Sequence, residues 1–290
     1  MRLHIVDVFA ETRYAGNQLA VVRDCATLSA ETMQTIAREM NFSETTFVVD
    51  ESPTRAKVRI FTPGQELPFA GHPTIGTAWV LAHTPSTYGR DTKGSDPFVS
   101  RYRLELAAGN VDVTFDGAGG IAWMAPPKPT LGDRFPIERA AKLIGLTPDD
   151  VSKDPPPQLV SIGPEFVFVG VRDLLALKRA RLDEPYFRAC LAEGLPFHAA
   201  FIFTPHAYCA DADYAARLFF DANGLREDPA TGSANSGFAA YLHAHLHKPI
   251  DVIVEQGFEI QRPSRLYLKA DATTLRVGGR VQAVSEGQLL

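Results

Sequence analysis

Apolar and polar residues alternate from the start of the chain. LHIVDVF (3–9) and LAVVR (19–23) read as strands, and AETRYAGNQ between them is a loop with a Gly-Asn turn signal. Ser29 is placed to cap a helix running to about Met40, with Met33, Ile36 and Ala37 on its inner face. Strands rich in β-branched residues follow at 45–50 and 57–62, then a helix at about 73–83. The polar stretch 86–97 reads as a surface loop. Short strands are expected at 102–107, 111–115 and 121–124. APPKPT (125–130), with three prolines in six residues, is the linker candidate. Beyond it the pattern predicts a helix at 137–144, strands within 158–170, and helices at 172–179 and 184–193. Strands at 200–204 and 214–220 come next, then a helix at 232–245. Strands at 251–255, 265–269 and 274–285 close the chain, the last as a hairpin turning at its Gly-Gly pair.

The two halves echo each other. A shift of 156 positions lays His72 on Asp228, Pro73 on Pro229, Gly76 on Gly232, Thr77 on Ser233 and Ala78 on Ala234. Arg59-Ile60-Phe61 likewise resembles Arg217-Leu218-Phe219. This is a large duplication rather than a short solenoid period. The segment 75–82 is apolar or small nearly all round, so its helix is expected to be buried on every side. Many short strands around such a helix predict an α+β fold of two similar domains, each a curved, mostly antiparallel sheet wrapped around a central helix. The domains are placed at 1–124 and 125–290, with the last hairpin free to return to the first.

Composition narrows the function. The chain has 290 residues, is 45% hydrophobic and 22% charged, and carries a formal net charge of -5 without a long basic run, which argues against nucleic acid as a partner. The N-terminus lacks the apolar core of a signal peptide, and no stretch reaches the ~18 apolar residues of a membrane helix. Three scattered cysteines, Cys25, Cys190 and Cys209, suit a reducing cytoplasm. No G-x-G-x-x-G follows a strand, and neither a P-loop nor a G-x-S-x-G is present, so nucleotide and serine-hydrolase chemistry lack support and no cofactor is expected.

Candidate chemistry gathers at the starts of the two buried helices. Each is expected to open with a polar residue and Pro, which suits a first turn where its missing N–H is not needed. The other first-turn N–H groups favour a carboxylate guest. The backbone at Gly71 and Gly232, with Thr231 and Ser233, could fix such a ligand, although helix capping accounts for the two hydroxyls equally well. His72 and Asp228 would flank it as proton-handling groups, and a capping role is as good a reading of both. Glu44, in MNFSETTFVV (40–49), starts an apolar strand; a glutamate at a strand entry is more often solvated, and desolvation there would raise its pKa into the range useful to a general acid or base. Glu66 is the rival carboxylate. His243 and His247 stand four apart near a helix end without supporting ligands, so no metal site is expected.

NFSETTFV, ELPFAGHPTIGTAWVL, EDPATGSA, EQGFEIQRPSR and VGGRVQAV together resemble the PhzF-like family, named for the phenazine-biosynthesis isomerase, over nearly the whole chain. The resemblance implies the diaminopimelate-epimerase-like fold, a site between the domains and a homodimer. It also implies cofactor-free isomerisation by proton movement, as for trans-2,3-dihydro-3-hydroxyanthranilate in the founding enzyme. By motif, Glu44 takes and returns the proton, His72 and Asp228 assist, and Gly71 and Ser233 contact substrate. Gln18 and RLFFDANG (217–224) depart from the family pattern. The wider fold includes racemases with two thiols, and neither helix start here carries a cysteine. The expectation is an isomerase of a small carboxylic acid, possessing neither a nucleic-acid nor a membrane partner. The alternatives are a non-catalytic small-acid binder and a lyase or dehydratase that shares the proton abstraction.

Overall fold

A computed structural model describes residues 1–84, 99–117, 119–221 and 225–290. The loop expected over 86–97 and the last three residues of RLFFDANG lie outside these. The chain forms two compact units, Met1–Ala125 with Gly278–Leu290, and Pro126–Val277.

Unit 1 begins with β1 (Arg2–Val8) and β2 (Asn17–Arg23), an antiparallel pair. Helix α1 (Ala30–Met40) is capped as its sequence suggests: the Ser29 hydroxyl accepts from the Thr32 N–H at 3.1 Å. Its buried Met33 and Ala37 pack with Phe47 and Phe61. Asn41, in the left-handed region at φ 53°, ends the helix and turns the chain into β3 (Glu44–Glu51). The strands β4 (Arg55–Phe61) and β5 (Glu66–Leu67) lead to α2 (Gly71–His83), and β6 (Arg101–Leu106), β7 (Gly109–Phe115) and β8 (Ala122–Met124) complete this stretch. Helix α2 packs against β1, β2, β3, β6, β7 and β8, and of its residues only Trp79 and His83 are not fully buried. Burying Ile75, Val80 and Leu81 contributes about 1.5–3 kcal/mol each. Gly76 lets the helix lie close to the sheet: a Cβ there would sit 2.6 Å from a Leu19 methyl and 2.7 Å from a Val8 methyl.

Unit 2 contains β9 (Thr130–Arg134), α3 (Ile137–Leu143), β10 (Gln158–Ser161), β11 (Glu165–Gly170), α4 (Leu174–Arg179), α5 (Glu184–Ala192) and β12 (Ala199–Thr204). Next come β13 (Tyr214–Asp221), β14 (Leu225–Asp228), the central helix α6 (Gly232–Leu246), β15 (Ile250–Gln256) and β16 (Ser264–Ala270). Phe135, Phe187 and Phe197 join α3, α4 and α5 in one core beneath the sheet. Strand β17 (Leu275–Gly279) carries the chain to unit 1, where β18 (Val281–Gln288) pairs antiparallel with β1. The Gly-Gly pair expected to form the turn lies inside β17. Gly278 is there for packing, since a Cβ would stand 2.7 Å from the Trp123 ring and 2.8 Å from the Ala122 carbonyl oxygen.

The duplication is visible in strand pairing. From β1 the successive pairings are antiparallel to β2, parallel to β3, antiparallel to β4, then β4 antiparallel to β5 and parallel to β6, and β6 antiparallel to β7. From β10 the same succession runs through β11, β12, β13, β14, β15 and β16. The register, however, differs from the 156-residue shift read in the sequence. Helices α2 and α6 open at Gly71 and Gly232, 161 positions apart, and Gly76 and Gly237 stand at matching points 161 apart, each against the first two strands of its repeat. His72 therefore corresponds to Ser233, and Asp228, paired with Leu218 in β14, corresponds to Leu67, paired with Ile60 in β5. The shared Pro is a match of residue type but not of structural position. Pro73 is the third residue of α2, whereas Pro229 precedes α6, which is capped at Thr231.

Candidate active site

In unit 1, Glu44 is the first residue of β3 and stands beside Leu19 of β2. His72 is the second residue of α2, directly after Gly71. The fold brings these two side chains together: Glu44 Oε2 is 3.4 Å from His72 Nε2, with side-chain exposures of 16% and 6%. The imidazole also hydrogen-bonds the backbone of Gln18, a contact that raises its affinity for a proton and so places its N–H on the carbonyl oxygen. Since Nε2 makes no hydrogen bond, Nδ1 is the donor to Gln18. Burial outweighs that contact and lowers the histidine to about 3, so the ring is neutral at pH 7 and its Nε2 lone pair faces Glu44. The departure from the family pattern at Gln18 does not disturb this, because the contact uses the main chain. Ala70, which precedes α2, has no side-chain cap to offer, leaving the Gly71 and His72 N–H groups without a capping acceptor from it.

Glu66 is committed elsewhere. It forms a two-pronged pair with Arg59 at 2.7 and 2.6 Å, which holds its carboxyl below the usual range. Its counterpart in unit 2, Glu227, makes a two-pronged pair with Arg217 at 2.9 and 2.6 Å, and there the pair is buried.

In unit 2, Asp228 ends β14 and is buried, with Thr231 three residues on. The Thr231 hydroxyl donates a short hydrogen bond to Asp228 Oδ2. Thr231 caps α6 by its position rather than by its side chain; Gly232 and half-buried Ser233 form the start of the helix. Sequence reasoning missed a residue that touches this group, Gln256 at the end of β15. It is fully buried, and its amide hydrogen-bonds Asp228, Thr231 and Asn235. The only signal was a polar residue ending an apolar strand just before a glycine, in VIVEQG.

Elsewhere, His243 Nδ1 lies 2.8 Å from the Lys248 carbonyl oxygen, and His247 ends α6 in the left-handed region. Among the described residues no cluster of His, Cys, Asp and Glu is arranged to hold a metal, and no helix is long and apolar enough to cross a membrane.

Comparison with known proteins identifies the family and the fold. The family described as phenazine biosynthesis-like protein matches residues 6–287. The trans-2,3-dihydro-3-hydroxyanthranilate isomerase of Pseudomonas aeruginosa is 36% identical, covering 99% of this chain and 98% of its own. Among solved structures, the PhzF-family phenazine biosynthesis protein of Bacillus anthracis superposes with a TM-score of 0.85 at 26% identity, covering 100% of this chain and 99% of that one. A hydroxyproline epimerase of Agrobacterium vitis, with a TM-score of 0.63 at 13% identity over 99% of this chain and 91% of that one, shares the α+β, diaminopimelate-epimerase-like fold.

Proposed function

The chain belongs to the phenazine biosynthesis-like protein family and is an isomerase, and from that premise we propose that it moves a proton within a small carboxylic acid, cyclic or amino-bearing, without a cofactor. In this reading Glu44 takes the proton from one carbon and returns it to another. The observation that carries it is the contact between Glu44 Oε2 and the Nε2 lone pair of a neutral His72. A lone pair there repels a carboxylate and accepts a hydrogen bond from a carboxylic acid, so it favours the protonated form that Glu44 takes on in mid-reaction. Such general acid–base help is worth ~10²–10⁴ in rate.

A single group serving both proton transfers also fits the repeat. Thr45 faces Phe61 as Ala200 faces Phe219, so the counterpart of Glu44 in unit 2 is Ala199. The duplicated strand brings no second acid. Asp228 accepts the Thr231 hydroxyl and, in our reading, holds a polar substituent of the substrate. In the same reading the first-turn N–H groups at Gly71 in α2, and those at Gly232 with Thr231 and Ser233 at the start of α6, suit a carboxylate guest.

The test uses trans-2,3-dihydro-3-hydroxyanthranilate, the substrate named for the Pseudomonas relative, in D₂O. The expected product is an isomer, of unchanged mass or one unit heavier where solvent deuterium is returned to carbon, and Glu44→Gln lowers turnover by ~10²–10⁴ while ligand affinity is kept. A product lighter by one water would make the protein a lyase, and unchanged turnover in Glu44→Gln would remove Glu44 from the mechanism.

A further inference from the structure

Gln256 uses its whole hydrogen-bonding capacity on one short segment. Nε2 donates to the Asp228 carbonyl oxygen at 2.9 Å and to Thr231 Oγ1 at 3.1 Å. Oε1 accepts from the Thr231 N–H at 3.3 Å and from Asn235 Nδ2 at 3.0 Å. A primary amide has two donors and two acceptor positions, and all four are occupied. A flipped amide would set its N–H groups against two other donors, so these partners fix its orientation. The consequence falls on Thr231. Its oxygen already receives the Gln256 N–H, so its own hydrogen is directed to the Asp228 carboxylate, which it reaches. Gly257 lets the end of β15 lie this close: a Cβ there would stand 2.6 Å from the Pro229 carbonyl oxygen, and its φ is 78°.

We propose that Gln256 is a positioning residue, aiming the Thr231 hydroxyl and through it the Asp228 carboxylate at one fixed geometry for substrate. The proposal rests on the reading above that Asp228 and Thr231 hold the substrate. Gln256 acts through them rather than on the reacting atoms, so its effect belongs to binding more than to proton transfer.

Two substitutions separate its donor and acceptor roles. Gln256→Glu keeps an oxygen for the Thr231 and Asn235 N–H groups and loses both donors. Gln256→Met loses everything at similar volume. Amide hydrogen exchange, measured without ligand, is expected to leave Thr231 protected in Gln256→Glu and to release it by about tenfold in Gln256→Met. Unaltered Thr231 exchange in Gln256→Met overturns the proposal. With trans-2,3-dihydro-3-hydroxyanthranilate, Gln256→Glu is expected to raise KM about tenfold or more at pH 8, with a smaller change in kcat. The gap from wild type should narrow as pH falls towards 5, because the introduced carboxyl donates again once protonated. A deficit that is absent, or the same at every pH, also overturns it. Should wild type itself leave that compound unchanged, the functional reading is what fails, and Thr231 exchange still decides the role of Gln256.

Discussion

Ala199 occupies in unit 2 the strand position that Glu44 occupies in unit 1, each one residue before the partner of the phenylalanine that ends the Arg-x-Phe motif. The same ancestral position thus carries a carboxylate in one copy and a methyl group in the other. Ala199 is 4% exposed. Ala199→Glu should bury a carboxylate without a designed partner and cost several kcal/mol. A thermal melt is expected to show a clearly lower Tm, and in combination with Glu44→Gln the change should restore no activity.

The two central helices pack with unequal tightness at matching glycines. A Cβ at Gly76 would come within 2.6–2.7 Å of its neighbours, against 3.0–3.2 Å at Gly237. Gly76→Ala should therefore cost more than Gly237→Ala, about 1–3 kcal/mol against less than half of that. Urea midpoints of the two variants check the order, and equal midpoints would contradict it.

His72 links stability to pH. Its folded-state value is lowered by burial to about 3 from 6.5, so the unfolded chain binds the proton first as pH falls. Stability owed to the neutral ring is fully present above about 6.5 and is lost progressively down to about 3. Between pH 7 and 4.5 the wild type should lose about 2–3 kcal/mol that His72→Gln does not lose. His4, also lowered by burial, leaves a residual slope in both proteins. Urea unfolding at the two pH values measures the difference.

Arg59 and Arg217 make the same pair with different consequences. The Arg59–Glu66 pair is largely solvated, with exposures of 29% and 38%, and Arg59→Ala should cost about 0–1 kcal/mol. Arg217 is 3% exposed, and its guanidinium also donates to the Leu177 and Ala180 carbonyl oxygens. Removing it strands Glu227 and should cost about 3–5 kcal/mol, readable as a large fall in the denaturation midpoint.

The thiols give a simple accessibility test. Cys25 is buried, bonded to the Val48 carbonyl oxygen at 3.0 Å, and pushed up to about 12 by burial; Cys190 is buried too. Cys209 alone is exposed, and its hydrogen bond to Glu255 raises it, which slows its reaction. A thiol reagent should label one cysteine slowly in the native protein and three after denaturation. Fast labelling of two native thiols would contradict this.

Much of the architecture was legible because it rests on local patterns. The all-apolar run after His72 announced a helix buried all round, and Ser29 announced the start of α1. The register of the duplication was not legible. Asp before Pro is the ordinary signature of a helix start, but Asp228 is held in β14 by its pairing with Leu218, and the helix waits for Thr231. Glu66 reads as a rival carboxylate in the sequence because its partner Arg59 lies across a strand pair. Gln256 was invisible for a related reason: its partners lie 21–28 residues away, and no local pattern reports them.

Strand β1 is completed by β18, and the Leu289 N–H reaches the Met1 carbonyl oxygen. Unit 1 is thus interrupted by the whole of unit 2 along the chain. A nascent polypeptide leaving the ribosome has every residue of unit 2 before it has the strand that finishes unit 1. The half bearing Glu44 is therefore left open along one edge of β1 until a strand that follows unit 2 reaches it.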